Sequence, residues 1–275
     1  MKKIVSALLV FTLLFTGSFI GISNTANAAQ DTTAVTTTTA TEDEEMRGIW
    51  VSFKDYESLG MVNKNEKIYI KNVKKFVKTA KKKKFNTIFL HVRAYDDAIW
   101  MSDTFAASEY LTKKASRSKT AAETYSYDPL EDFIEVAAAY GLEVHAWLNP
   151  YRVTDTMYLN PAKKTNMNRV KTAVKELMEY DIAGIHFDDY FYHSQGGYIS
   201  SYKSTDVYSK DITAKKKRIN VNKLVKSVYK LVHKNNLVFG ISPQGNFDND
   251  MNSGADVESW LSKDGYVDYV APQIY

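Results

Sequence analysis

The 275-residue chain contains no cysteine. A disulfide framework is therefore excluded, and so is a lipoprotein anchor, which needs a cysteine to carry its lipid. Folding has to rely on a hydrophobic core rather than on covalent cross-links. The part of the chain that follows the first 45 residues is long enough to build one substantial core.

Several familiar motifs are also missing. No glycine-rich phosphate loop follows the first predicted strand, which argues against a doubly wound nucleotide-binding sheet. Neither His-x-His nor His-Glu-x-x-His occurs, although closely spaced histidines are typical of zinc sites. Ser242 lacks the Gly-x-Ser-x-Gly context of a serine nucleophile. We therefore expect neither a metal nor an organic cofactor.

One long apolar run stands at the N-terminus. Lys2 and Lys3 precede an apolar segment from Ile4 to Ile20, and Ala26-Asn27-Ala28 matches a small-residue cleavage site. The pattern predicts a secretory signal peptide over residues 1–28 and a secreted or cell-envelope location, with no membrane span after cleavage. The alternative is an uncleaved anchor, although the run is near the lower length limit for spanning a bilayer.

The next segment, residues 29–45, is rich in threonine and ends in acidic residues. Its apolar content is too low to pack, so we expect a disordered linker ahead of a single folded domain over residues 46–275.

Positive and negative side chains are nearly balanced in number. The net charge is +4, and loss of Lys2 and Lys3 with the signal peptide would leave +2. This balance does not favour a nucleic-acid partner. The lysine run from Lys81 to Lys84 lies at the predicted end of a helix, where cations favour the helix dipole and face water. No feature of the sequence specifies an oligomeric state.

Apolar, β-rich runs alternate with segments of helical periodicity. Six runs predict strands, and they span residues 47–53, 86–93, 142–149, 184–190, 237–244 and 267–275. The predicted helices span residues 64–83, 129–140, 166–180, 214–234 and 256–261. In the second of them Asp128 can cap the N-terminus and Pro129 fits the first turn.

This alternation predicts an α/β fold with parallel strands joined by right-handed crossovers. We predict a (β/α)8 TIM barrel that stops after its sixth strand in this sequence, with unpaired edges on the first and sixth strands. Each predicted strand ends in polar or aromatic residues. Because catalytic groups of such barrels lie at the C-terminal ends of the strands, this pattern favours an enzyme.

Strand alternation separates inward-facing from outward-facing residues. On the fourth strand Ile185 and Phe187 belong against the helices, so His186 and Asp188 should point into the barrel mouth. By the same alternation, we assign inward positions to residues on four other strands. These are Phe89, His91 and Arg93, then His145, Trp147 and Asn149, then Ser242 and Gln244, and finally Gln273 and Tyr275.

Three histidines, His91, His145 and His186, lie on three different strands. Each is about two residues deeper than the polar tip of its strand. We therefore interpret them as hydrogen-bonding groups for carboxylates or sugar hydroxyls rather than as metal ligands. A metal-dependent hydrolase or deacetylase built on these histidines remains an alternative.

The loop from Ala94 to Thr112 is rich in carboxylates and rings, which suits the apolar faces of sugars. In contrast, we interpret the acidic segment from Asn246 to Asp250 as a turn.

Six sequence blocks resemble, in order, the glycosyl hydrolase-like 10 family, and together they cover nearly everything from Met46 onward. They are Arg47-Gly48-Ile49-Trp50-Val51; Val92-Arg93 with Asp96-Asp97-Ala98; His145-Ala146-Trp147-Leu148-Asn149-Pro150-Tyr151-Arg152; Gly184 to Tyr192; Gly240-Ile241-Ser242-Pro243; and Ala271-Pro272-Gln273-Ile274-Tyr275. The resemblance implies an exported barrel glycosidase whose substrate is the glycan strands of peptidoglycan.

Glycoside hydrolysis requires two carboxyl groups at the bond that is cleaved. Asp188 is the predicted nucleophile or charge stabiliser, and Asp189 is its alternative because strand ends often twist or bulge. Glu109 is the predicted acid, since neighbouring rings could desolvate it and favour its protonated form. Further residues are predicted to bind the polysaccharide. They are Arg93, Asp97, His145, Trp147, Asn149, Arg152, His186, Tyr190, Gln244, Gln273 and Tyr275.

The main rival hypothesis is a non-catalytic carbohydrate-binding barrel, which would keep the aromatic residues but would need no carboxylate pair.

Overall fold

The computed structural model describes residues 45–192, 197–199, 207–208 and 212–274. The predicted signal peptide, nearly all of the predicted linker, and Tyr275 lie outside the described residues. Within them, no helix has the length and apolar character needed to cross a bilayer.

Six parallel strands form the central sheet, and each lies next to the strand that follows it in this set. All six predicted strands are thereby confirmed. With strands numbered in chain order, the sheet comprises β1 (Gly48–Val51), β2 (Thr87–Arg93), β5 (Glu143–Leu148), β7 (Gly184–Phe187), β10 (Val238–Ile241) and β11 (Tyr269–Val270). β1 and β11 stand at its two ends, as expected.

Five helices occur where helical periodicity predicts them. They are α1 (Glu66–Lys82), α2 (Pro129–Ala138), α3 (Lys164–Leu177), α4 (Ala214–His233) and α6 (Val257–Ser262). The predicted cap of α2 is confirmed, because the Asp128 carboxylate accepts hydrogen bonds from the backbone N–H groups of Leu130 and Glu131 at 3.0 and 3.2 Å.

The segments that follow the main strands contain structure that periodicity did not predict. The interpretation of the acidic segment as a turn is wrong in part, because most of this segment lies in helix α5 (Phe247–Ser253). The Asn246 side chain caps the N-terminus of this helix. The other elements are a 3-10 turn (Phe53–Asp55), β3 (Asp97–Ala98), β4 (Ala106–Ala107), β6 (Met157–Leu159), β8 (Gly197–Ile199) and β9 (Val207–Tyr208). Such two- and three-residue strands are too short for a periodic signal.

The central sheet curls strongly. β2 and β11 are four strand spacings apart, which is about 19 Å in a flat sheet. Nevertheless the rings of Phe89 on β2 and Tyr269 on β11 have centroids only 6.3 Å apart. Trp50 on β1 likewise meets His186 on β7 at 6.1 Å. The inward side chains of the strands therefore converge, as they do inside a barrel.

Glycine makes room for this convergence. A Cβ atom at Gly240 on β10 would lie 2.0 Å from the ring of Tyr269, and one at Gly48 on β1 would lie 2.2 Å from the ring of Phe89. Neither separation is physically possible, so the inward rings occupy the space that larger residues would fill. The outward residues of β2, including Ile88 and Leu90, are fully buried in the hydrophobic core.

Candidate active site

Asp188 lies directly after β7 and points toward the mouth of the curled sheet. Its backbone N–H continues the ladder by donating to the Leu148 carbonyl at 3.0 Å, which fixes the direction of the side chain. Oδ1 accepts hydrogen bonds from Gln273 Nε2 at 2.7 Å and from the Asp189 N–H at 2.8 Å. Oδ2 accepts from Trp147 Nε1 at 3.2 Å. Side chains that lie on β5 and just after β11 thus contact the carboxyl group that follows β7.

Burial governs the protonation of this group. Asp188 is only 7 % exposed, and loss of water raises its pKa, with the neighbouring Asp189 charge adding to the effect. Hydrogen bonds from Gln273 and the Asp189 backbone oppose the rise but do not cancel it, and the pKa reaches about 8. At neutral pH Asp188 therefore holds a proton, which is unusual for a carboxyl group and typical of catalytic acids.

Asp189 faces a cavity of about 500 Å³, within the range of small-molecule sites. Gln273, which holds Asp188, also lines this cavity. The remaining lining residues are mostly amides and aromatic rings: Tyr190, Tyr192, Lys217, Gln244, Asn249, Asn252 and Ser253. Amides, hydroxyls and rings are the groups that bind sugar hydroxyls and sugar faces.

Trp147 is held from behind by His91. The two rings stack with centroids 3.7 Å apart and planes 14° apart. His91 Nε2 lies 3.1 Å from Asn149 Oδ1, while the Asn149 amide donates to the Ala94 carbonyl at 2.7 Å. Because the Asn149 oxygen can only accept, His91 must donate from Nε2. Trp147 and Asn149, both predicted to bind substrate, therefore belong to a chain of contacts that aims the indole N–H at Asp188.

The two deeper histidines form a second network below the mouth. His145 Nδ1 and His186 Nδ1 lie 2.9 and 3.0 Å from the hydroxyl of Tyr269, and His186 Nε2 lies 2.7 Å from the hydroxyl of Ser242. Burial lowers the pKa of His145 to about 4 and that of His186 to about 3, so both are neutral at pH 7. Both side chains are fully buried, which places them inside the protein rather than on the cavity wall.

No metal site emerges from these histidines. Nowhere in the described part of the chain do three or more histidine, aspartate or glutamate side chains lie close enough together to hold a metal ion. Their ring nitrogens instead meet an amide, a tyrosine and a serine.

Arg93 lies away from the cavity. It is completely buried and donates to the carbonyl groups of Asn149 and Pro150 at 2.8 and 3.2 Å. Its guanidinium also pairs with Asp96, which accepts from Arg169 Nε at 2.7 Å. With these partners and no exposure, Arg93 braces the loops after β2 and β5 and does not meet solvent.

Glu109 and Asp97 line a different and smaller cavity of about 160 Å³, together with Tyr95 and Tyr110. Glu109 is exposed, so the desolvation expected from its aromatic neighbours is absent. Trp100 is instead buried and donates from Nε1 to Glu176 at 2.8 Å. In Asp97, burial raises the pKa of the carboxyl group.

Arg152 separates the two cavities. Its guanidinium lies 4.5 Å from the ring centroids of both Tyr95, which lines the smaller cavity, and Tyr190, which lines the larger one. Arg152 also pairs with Asp155 at 2.7 Å. The structure therefore brings together five predicted site residues at or beside the larger cavity: Asp188, Asp189, Tyr190, Gln244 and Gln273. Glu109 lies at the smaller cavity, on the other side of Arg152.

Three groups around the site, Tyr269, Asp250 and Lys217, are not among the residues predicted from the sequence. Tyr269 follows from the strand alternation that places Gln273 inward, so a signal existed. Asp250 is buried on α5 and accepts from the Gln244 N–H at 2.9 Å; burial raises its pKa to about 7, and the Asp189 charge adds to the rise. Lys217 had no distinguishing signal, because α4 carries many lysines.

Comparison with known proteins identifies the family of the chain. The family described as glycosyl hydrolase-like 10 matches residues 45–155 and 150–275. The chain belongs to this family. The resemblance predicted from six sequence blocks is thereby confirmed, and the match covers the whole curled sheet.

Two curated relatives are bacterial proteins named as glycosyl hydrolases. The chain is 28 % identical to YngK of Bacillus subtilis and 27 % identical to DigH of Escherichia coli K12, over 86 % of its own length in each case. It spans 55 % of YngK and 67 % of DigH, so it corresponds to about half of the first relative's length.

Among solved structures, the glycoside hydrolase domain of PgaB (BpsB) from Bordetella bronchiseptica is similar. The TM-score is 0.57 at 11 % identity, with 83 % of this chain and 74 % of that domain covered. At this identity the similarity shows the fold, and the TIM-barrel prediction is confirmed as a six-stranded curled parallel sheet with its helices.

Proposed function

We propose that this protein is an exported glycoside hydrolase that cleaves a cell-envelope polysaccharide, namely the glycan strands of peptidoglycan. Membership of the family and the N-terminal sequence, with its pattern of a signal peptide, support this proposal. The observation that carries it is the Asp188–Asp189 pair, in which a buried, protonated carboxyl group adjoins a second carboxyl group on the wall of a 500 Å³ cavity.

The two carboxyl groups have divided roles. Asp188 keeps its proton because it is desolvated, whereas Asp189 faces the cavity. Burial of Asp188 and the neighbouring Asp189 charge both raise the pKa of Asp188, so the proton of the pair resides on Asp188. This proposal keeps the charge-stabilising role predicted for Asp188 and adds the role of proton donor, which the sequence prediction gave to Glu109.

In the reaction, the Asp188 proton passes to the glycosidic oxygen as the bond from the anomeric carbon to that oxygen breaks. The resulting Asp188 carboxylate stabilises the positive charge that develops on the sugar. Water then adds its oxygen to the anomeric carbon, and the proton that it loses returns to the Asp188 carboxylate, which restores the acid.

The direct test is to incubate the mature protein with purified peptidoglycan glycan strands and to count new reducing ends. We expect reducing ends to accumulate, and we expect a chelator to leave the rate unchanged, since no step uses a metal. Retention of the strands in a pull-down without any new reducing ends would refute the proposal and establish the carbohydrate-binding rival. Loss of activity with chelator would favour the metal-dependent one.

A further inference from the structure

The larger cavity carries one positive and one negative side chain. Among the described residues that line it, Asp189 and Lys217 are charged, and the others are amides, tyrosines and a serine. Asp189 belongs to the carboxyl pair. Lys217 comes from α4, a different element, and no step of the proposed reaction uses it.

Lys217 is held in place by its surroundings. Its stem lies against Gly254, where an added Cβ atom would come within 3.1 Å of Lys217 Cβ, and Gly254 adopts the left-handed φ of +98° that ends α5. Its ammonium group lies 5.7 Å from the ring centroid of Tyr192. Tyr192 is fixed in turn, because its hydroxyl accepts from Asn220 Nδ2 at 3.0 Å.

The junction of α4 and α5 is also fastened beside this lysine. Arg218 donates to the Met251 carbonyl at 2.8 Å, which ties the two helices together. Within the described ranges, no carboxylate lies within ion-pair distance of the Lys217 ammonium. A partly buried cation without a counter-charge is a ready partner for an anion.

We propose that Lys217 forms a subsite for a carboxylate group carried by a sugar of the substrate, so that the cavity selects an acidic glycan over a neutral one. This inference rests on the proposed function, because it names the substrate class of the same site. The amides of Gln244, Asn249 and Asn252 suit the hydroxyl and acetamido groups that both kinds of glycan carry. The Lys217 ammonium group is the feature of the cavity that favours the acidic glycan over the neutral one.

The test measures binding in the Asp188→Asn background, so that no turnover is needed. Probes are peptide-free glycan strands, whose muramic acid residues bear free carboxylates, and neutral oligosaccharides of N-acetylglucosamine. We expect Lys217→Gln to weaken binding of the acidic strands by about tenfold, because one charged hydrogen bond is lost. Binding of the neutral oligosaccharides should change by less than about twofold, and Lys217→Arg should restore most of the affinity.

Lys223→Gln is the matched control, since it removes the same charge from an exposed position of α4 outside the cavity. It should leave both affinities unchanged. Equal effects of Lys217→Gln on both probes, or no effect on either, would overturn the subsite. Absence of hydrolysis of any glycan by the wild-type protein would overturn the proposed function instead. The difference in binding between the two probes would still test the Lys217 subsite independently.

Discussion

Replacement of Asp188 by asparagine is expected to lower the rate of glycan hydrolysis by about 10³-fold, within the range that a general acid contributes. The asparagine side chain has the same shape and can still accept hydrogen bonds from Gln273 and the Asp189 N–H. It cannot transfer a proton to a leaving group. The measurement is the initial rate of reducing-end formation on peptidoglycan glycan strands. Hydrolysis within tenfold of wild type would remove Asp188 from the mechanism.

The loss of hydrolytic activity in Asp188→Asn should not come from unfolding. Only the hydrogen bond from Trp147 is put at risk, which costs about 1 kcal/mol in free energy of unfolding. The pKa of Asp188 rises from 3.8 to about 8 on folding, so its stabilising contribution is complete below pH 4 and is lost as pH rises toward 8. Wild type should therefore lose stability relative to the asparagine variant across that window. Asp103→Asn, at an exposed position, is the matched control and should change neither rate nor stability.

Replacement of Asp96 by asparagine is expected to reduce the free energy of unfolding by about 3–5 kcal/mol, because it leaves a buried cation without its partner. The Asp96 side chain is 1 % exposed and pairs with Arg93, which is 0 % exposed, and with Arg169. The Arg93 guanidinium cannot turn to solvent without disrupting the loops after β2 and β5, whereas the Arg169 side chain is 19 % exposed. Urea denaturation monitored by tryptophan fluorescence measures the change.

The matched control is Asp155→Asn. This residue also pairs with an arginine three positions earlier, Arg152, but the Asp155 side chain is 76 % exposed. Exposed pairs contribute little, so the expected loss is below about 1 kcal/mol. Equal costs at the two positions would contradict the claim that burial, rather than pairing itself, makes Asp96 important.

The sequence predicts the sheet well because the strands are apolar, well spaced and buried on their outer faces. Strand alternation also places Asp188 correctly at the mouth, since Ile185 and Phe187 can only face the helices. It predicts that Gln273 faces inward, although not that its amide holds Asp188. Periodicity assigns a side chain to a face and does not identify the atom it contacts.

Loop residues are predicted less well for the same reason. Glu109 lies in a ring-rich segment, but whether those rings cover it depends on the path of the loop, and Trp100 packs on Glu176 instead. Strand alternation assigns Arg93 to the inward face, but its guanidinium pairs with the buried Asp96 carboxylate three residues later and does not reach the cavity. Lys217 lines the cavity and lies against Gly254 at the end of α5, a contact between segments that are distant in sequence and that periodicity does not predict.

Titration of Asp188 itself tests most directly whether this residue holds the catalytic proton. Carbon-13 NMR of aspartate carboxyl groups, with the Asp188 signal identified by its absence from the Asp188→Asn variant, gives the midpoint. We expect a midpoint near pH 8, because burial and the Asp189 charge both favour the protonated form. A midpoint near pH 4 would mean that Asp188 is ionised at neutral pH, which would contradict its role as the holder of the catalytic proton.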